Sequence, residues 1–307
     1  MPWLSAAAYR QSSSEAITAL PKLQRQATRF SFRHIVHVYD DAVLPINTAV
    51  QAITFRTMLN AKQVVEKMAD VTCIAVTFSD DAHLVPTGIV HAPVLSRMVG
   101  DVARFTNARP LPLLFDVLDL GLAAGIGGAH SDENEFIIFT NSDIHLQPNF
   151  YVEVAQLLEQ GWQAMSINRR TLDVPIAQRR WDEKFFSEPG QAHPGFDCFV
   201  FPASWYARFA RSLSCCGASY VMRSLLFNLI AQSSRYLFLD HAHLTFHLGD
   251  DRKWEVQSFD EYRDFNEAQA MAVIEAIAVD TSAFARLRDF IRGEADGPFK
   301  RLVNRLA

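Results

Sequence analysis

The sequence is poor in the features that most quickly assign a protein. Of its 307 residues four are cysteine, Cys73, Cys198, Cys215 and Cys216, and they form neither a CxxC pair nor a zinc-type spacing. The expectation is reduced thiols in a cytoplasmic protein. No run of about 18 apolar residues occurs, so no helix is expected to span a bilayer. The opening MPWLSAAAYRQSSSEAITAL lacks the charged-then-apolar order of a secretory signal. Positive charge is scarce too. Lys and Arg number 29 against 34 Asp and Glu, a net charge of −5, and general nucleic-acid binding needs a basic surface. There is no GxGxxG after a strand, since GIGG at 125–128 leads into an acidic loop. GxxxxGK[ST], HExxH and GxSxG are absent as well, which removes the P-loop and the usual zincin and α/β-hydrolase arrangements.

What is present is an alternation of apolar runs. HIVHVYDDA (34–42) reads as a first strand ending in acids, and 47–69 has helical spacing through Val50, Ile53, Phe55, Leu59 and Val64 or Val65. TCIAVTFS (72–79) is a second strand, again closed by acids, Asp80 and Asp81. After Pro110 the residues Leu114, Val117, Leu118 and Leu122 share a helical face, with Gly125 as a stop. EFIIFTNSDIHL (135–146) has an unbroken apolar core, as expected of a strand buried on both faces. A helix over 150–160, capped by Asn149, turns Phe150, Val154, Leu157 and Leu158 inward, and 163–168 is another strand.

Strand and helix thus alternate through the first 170 residues, which predicts a mostly parallel sheet with covering helices, a Rossmann-like α/β fold. The second half is expected to hold an extended loop over 171–192, helices from about 203 and near 219–231, one strand through RYLFLDHAHLTFHL, and a helical tail from 259 on Tyr262, Phe265, Ala268 and Ala272. The expected organisation is a basic helical extension over 1–33, a catalytic domain over 34–258 and a helical appendix over 259–307. Both ends are locally basic, Arg10, Lys22, Arg25, Arg29 and Arg33 at one and Lys300, Arg301 and Arg305 at the other. Such segments are solvated helix faces or peripheral contacts to an anionic membrane.

Three places carry candidate chemistry. In an open parallel sheet ligands bind beyond the carboxyl ends of the strands, where Asp143 follows the most apolar strand. A carboxylate there can hold Mg²⁺ or Mn²⁺ against a diphosphate, or cap a turn through its own side chain. His241, His243 and His247 are two and four residues apart, so in one strand all three share a face; His247 precedes GDD and the cations Arg252 and Lys253, which can neutralise phosphate oxygens or simply face solvent. Asp197, after Gly195 and before the apolar CFVF, can take a proton from a hydroxyl or bond to the turn's own backbone.

In order, these pieces resemble the GT-A sugar-nucleotide transferases, family 2-like glycosyltransferases above all. The resemblance covers about residues 34–254. It implies that Asp40 or Asp41 and Asp80 meet the nucleotide, that Asn141-Ser142-Asp143 stands for the DxD metal motif, and that Gly195-Phe196-Asp197 faces the acceptor. It further implies that His247 is a late metal ligand, with Arg252 and Lys253 on the phosphates. Donor and acceptor would be a nucleotide sugar and a hydroxyl compound, with Mn²⁺ or Mg²⁺ as cofactor. Two departures stand out: the first acid of the DxD is Asn141, and no acid lies between Asp197 and Asp240, where the family commonly carries its base. A nucleotidyltransferase is disfavoured because YDDAVLP follows the first strand where a Gly-rich basic loop is usual. A non-catalytic nucleotide-sugar-binding module remains an alternative, as does a hydrolase built on Asp143 and the histidines.

Overall fold

The computed structural model describes residues 29–40, 46–124, 133–193, 195–249 and 257–307. Strand β1 (Phe30–His37) is followed by helix α1 (Ile46–Val65), β2 (Ala69–Val76), β3 (Val90–His91) and α2 (Leu114–Ala123). Next come β4 (Glu135–Asn141), β5 (His145–Leu146), α3 (Phe150–Glu159), β6 (Ala164–Ile167), β7 (Arg170–Leu172), β8 (Gln191–Ala192) and β9 (Cys198–Pro202). The chain continues with α4 (Val221–Gln232), β10 (Tyr236–Leu239), β11 (Thr245–Leu248), α5 (Asp260–Ile277), α6 (Thr281–Gly293) and α7 (Pro298–Leu306).

The described residues group into two compact units. One lies within 1–94, 121–204 and 235–250, the other within 95–120, 205–234 and 251–307. The first holds a seven-stranded sheet in the order β10-β6-β9-β4-β1-β2-β3 and a smaller sheet in the order β5-β11-β7-β8. In the large sheet β9 runs antiparallel to both β4 and β6, and the remaining pairings are parallel. The expected class, Rossmann-like α/β with a mostly parallel sheet flanked by helices, is the observed one.

Side-chain alternation explains how the helices cover this sheet. Phe30, Phe32 and Val36 of β1 join the core formed with Phe55, Met58, Ala61 and Val65 of α1 and with Phe150, Tyr151, Val154 and Leu158 of α3. Ile35 points the other way, towards the end of α2, where a Cβ on Gly121 would lie 2.7 Å from its methyl groups. Glycine there lets the helix backbone approach the strand. At the centre, Ile137, Ile138 and Phe139 of β4 are fully or almost fully buried, each contributing roughly 1.5–3 kcal/mol by removal from water. Val65, not Val64, is the inward residue near the end of α1, since Val64 remains exposed. The Asn149 side chain accepts from no backbone amide of α3; its side-chain amide donates to the Glu153 carboxylate instead.

The second unit is helical. On α5 the buried face is Tyr262, Asn266, Ala270, Val273, Ile274 and Ile277, not the expected face through Ala268 and Ala272, which are exposed. The polar Asn266 belongs inside because it holds backbone: it accepts from the Cys215 amide at 2.8 Å and donates to the Cys215 and Ser219 carbonyls at 3.0 Å. Asp280 caps α6 through the amides of Ser282 and Ala283. On α7, Phe299, Leu302 and Val303 face inward, while Arg301 and Arg305 are exposed.

Three local expectations are corrected. RYLFLDHAHLTFHL is two strands in different sheets, β10 beside β6 and β11 between β5 and β7, because turn residues 240–244 interrupt the alternation. The segment from 203 is a 3₁₀ turn, Ala203–Arg208. Residues 171–192, expected as loop, contribute most of β7 and all of β8. Gly125, the expected stop of the helix after Pro110, and most of the basic N-terminal extension lie outside the described residues.

Candidate functional site

The carboxyl edge of the large sheet gathers the candidate residues, and strand direction decides which ones arrive there. Parallel β4 and β6 end at Asn141 and Ile167, so Asp143 and Arg169 emerge two residues later. Antiparallel β9 begins at the same edge: Cys198 pairs with both Thr140 and Ile167. Asp197, one residue before it, is therefore delivered between the other two. The small sheet supplies the fourth member. β5 starts two residues after Asp143 and pairs antiparallel with β11, Phe246 opposite His145, which brings His247 to the level of Asp143.

Asp143 and His247 meet directly, Oδ2 and Nε2 at 3.2 Å. The other imidazole nitrogen, Nδ1, lies 2.6 Å from the Gly249 carbonyl. A carbonyl can only accept, so the hydrogen-bond pattern assigns the proton to Nδ1 and leaves Nε2 facing the carboxylate. Two lone-pair atoms at that distance repel unless a cation lies between them, which a second ring proton or a metal ion can supply. Gly249 adopts φ +83°, and a Cβ on it would fall 1.9 Å from Nη2 of Arg179. This position therefore requires glycine both for its left-handed backbone and for the neighbouring guanidinium.

The surroundings are charged and incompletely paired. Asp143 keeps 37% of its side chain open, yet its Oδ1 is buried with no partner among the described residues. Burial opposes its ionisation, but His247, backed by Arg169, outweighs that and holds the carboxyl below the usual range. His145, fully buried, bonds Thr54 through Nδ1 at 2.9 Å and leaves Nε2 unpaired. Burial first, then the nearby His247, lowers its pKa to about 3, so it is neutral. Arg169 and Asp197 form an ion pair, Nη1 to Oδ1 at 2.9 Å, with side chains only 4% and 6% exposed. The Asp197 carboxylate thus faces a guanidinium, not solvent. Among the described residues no group of three or more His, Cys, Asp or Glu side chains is placed to share a metal ion.

At the ends of β1 and β2 a second cluster forms. The Asp40 amide donates to Asp81 Oδ1 at 3.0 Å, and the Asp40 carboxylate accepts from Thr48 at 3.1 Å. Asp81, not Asp80, is the carboxylate that meets Asp40. Burial, then the like charges of Asp40 and Asp80, raise its pKa against the pull of that amide. Tyr39, 37% exposed, stacks on His37 with ring centroids 5.8 Å apart and planes at 14°.

Of the residues picked from the sequence, Asn141, Ser142, Asp143, Asp197 and His247 come to one edge, with Asp40 and Asp80 further along it. Asp41, Arg252 and Lys253 lie outside the described residues. His241 and His243 do not join His247 on a strand; His243 instead pairs with Gln147 at 2.8 Å. Sequence reasoning passed over Arg169, His145, Tyr39 and Asp81. A usable signal existed for one of them: Arg169 follows an apolar strand as Asp143 does.

No family model and no curated protein matches the chain. The chain is similar to S. aureus TarS 1-349 in complex with UDP-GlcNAc, with 12% identity, 90% of this chain and 69% of that one covered, and a TM-score of 0.43. A second crystal structure of TarS 1-349 gives 10% identity, 90% and 68% coverage and a TM-score of 0.46. A 4-diphosphocytidyl-2C-methyl-D-erythritol synthase from Anaerococcus prevotii gives 12% identity, 78% and 95% coverage and a TM-score of 0.37. Likeness at this level says nothing of substrate.

Proposed function

We propose that the protein is a metal-assisted glycosyltransferase that moves a sugar from a nucleotide-diphosphate donor to a hydroxyl acceptor. The observation that carries the reading is the Asp143–His247 pair at the carboxyl end of β4, a carboxylate oxygen and an imidazole nitrogen 3.2 Å apart, with the second carboxylate oxygen buried and unpaired among the described residues. The donor set fits Mn²⁺ or Mg²⁺, which take one or two protein ligands and complete their shell with water and substrate phosphates. Asp143 and His247 would hold the ion, with the Gly249 carbonyl fixing the imidazole. A bound Mn²⁺ or Mg²⁺ supplies positive charge against the leaving nucleoside diphosphate.

The chain's own residues divide the remaining work. Asp40, Asp80 and Asp81, at the ends of β1 and β2, would recognise the nucleoside through polar contacts. Asn141 and Ser142 line the approach to the diphosphate, and Arg252 and Lys253 remain the cations assigned to its oxygens. Asp197, enclosed against Arg169, is assigned to orienting that arginine, so the acceptor's proton leaves by another route. We place the protein in the cytoplasm, with the exposed cations of the tail helix available to an anionic membrane surface. No described helix is long and apolar enough to cross a membrane.

The test is thermal denaturation with UDP, GDP, CDP and their sugars, with and without Mn²⁺, on the wild type and Asp143→Ala. A metal-dependent stabilisation by one nucleotide, absent in the variant, is expected. Stabilisation that ignores both metal and variant would sink the metal assignment, and none with any nucleotide would sink the donor class. A second reading, a binding module without turnover, is favoured by one observation: the two carboxylates here are engaged, Asp143 by His247 and Asp197 by Arg169. Nucleotide binding without measurable transfer or donor hydrolysis identifies it.

A further inference from the structure

We infer that Arg169 is an anion-binding residue that receives two oxygens of a phosphate group, and that Asp197 is the positioning residue that holds it ready. The inference rests on the nucleotide-diphosphate reading only for the identity of the anion.

A guanidinium has five N–H donors in a rigid plane, so engaging one side leaves the others in fixed directions. Asp197 takes Nη1 at 2.9 Å. The opposite edge, formed by Nε and Nη2, is buried, and neither atom has a hydrogen-bond partner among the described residues. Unpaired buried donors are rare because each forfeits its hydration without recompense. Here two such donors lie side by side on one residue.

Two other arginines of this protein use that edge to hold both oxygens of a carboxylate. Arg29 presents Nε and Nη2 to the two oxygens of Asp70, both at 2.7 Å. Arg97 presents the same atoms to Asp116 at 2.9 and 2.7 Å. Both have a carboxylate on the fork; Arg169 has the fork without it. A water molecule accepts from one donor well but cannot span both as two oxygens of a phosphate do. The position suits the reaction, since Arg169 and Asp143 emerge from strands that flank β9 at one edge. An anion on the fork would sit near the Asp143 carboxylate, so its affinity should rise when a cation lies between Asp143 and His247.

Isothermal titration with inorganic pyrophosphate, in EDTA and then in Mn²⁺, tests this on the full chain. Arg169→Lys keeps a charge for Asp197 but has no second edge. The pair Arg169→Gln with Asp197→Asn removes both charges together and avoids leaving either buried alone. Both should lose on the order of tenfold or more in pyrophosphate affinity while retaining the wild-type melting profile. Unchanged pyrophosphate affinity in both variants overturns the inference, and so does a wild type that binds no pyrophosphate in either buffer. If pyrophosphate binds through Arg169 but no nucleoside diphosphate binds more tightly, the anion site stands and the nucleotide reading falls. If nucleoside diphosphates bind wild type and Arg169→Lys equally, the nucleotide reading stands and the arginine assignment falls.

Discussion

Replacing Gly249 by alanine separates the architecture of this edge from its chemistry. The residue has φ +83°, where a Cβ crowds the following carbonyl at a cost of about 1–2 kcal/mol. The new Cβ would also lie 1.9 Å from Arg179 Nη2 and 2.5 Å from its Cζ. Arg179 cannot simply swing into water. It is 4% exposed and donates from Nε to the Val174 carbonyl at 3.2 Å, a bond worth about 1 kcal/mol. The backbone cannot yield easily either, because the Gly249 amide is tied to the Leu172 carbonyl at 2.7 Å. Together these give a loss of about 2–4 kcal/mol in unfolding free energy, measurable by urea denaturation at pH 7. The carbonyl that orients His247 belongs to this residue, so Mn²⁺ affinity should fall by about 10- to 100-fold, readable from the free-ion paramagnetic signal. A variant within about 0.5 kcal/mol of wild type, with unaltered Mn²⁺ affinity, would refute the account of both the turn and the histidine.

Other perturbations have equally definite outcomes. Asp197→Ala leaves the Arg169 charge buried alone and should destabilise by about 3–5 kcal/mol, whereas Arg169→Met with Asp197→Leu should come within about 1 kcal/mol of wild type; equal losses in urea melts would refute the pairing. His34 and His145 are buried with pKa values lowered by burial to about 3, against about 6.5 in the unfolded chain. The unfolded state therefore binds protons first, so their contribution is complete above about pH 6.5 and is lost as pH falls towards 3. Unfolding free energy should drop by up to about 1.4 kcal/mol per pH unit for each histidine, and His34→Phe should remove one histidine's share of the slope between pH 6.5 and 5.

The strands were legible where burial is two-sided and the run unbroken. EFIIF announces β4, and the acid after it marks the carboxyl end of that strand without any knowledge of strand order. His247, singled out for the GDD turn and the cations after it, does lie beside Asp143. The Arg169–Asp197 pair was not, because its members are separated by the excursion through β7 and β8 and meet only through an antiparallel register that no local pattern encodes. The histidine trio failed where alternation was extended across residues 240–244, which form a turn. On α5 the buried face includes Asn266, which holds the backbone around Cys215, a contact that apolar periodicity cannot anticipate.

The reversed direction of β9 has a consequence for how such a protein can diversify. Because β6 ends and β9 begins at the same edge, residues 168–197 leave and re-enter the sheet at its carboxyl edge. Their length is free of the crossover distance that every parallel connection must span. That stretch can change in length while the large sheet keeps its register, held where β7 meets β11 and where Phe185 and Phe186 pack on Phe246. Arg169 and Asp197 stand at its two roots, so a change of length between them leaves their ion pair in place.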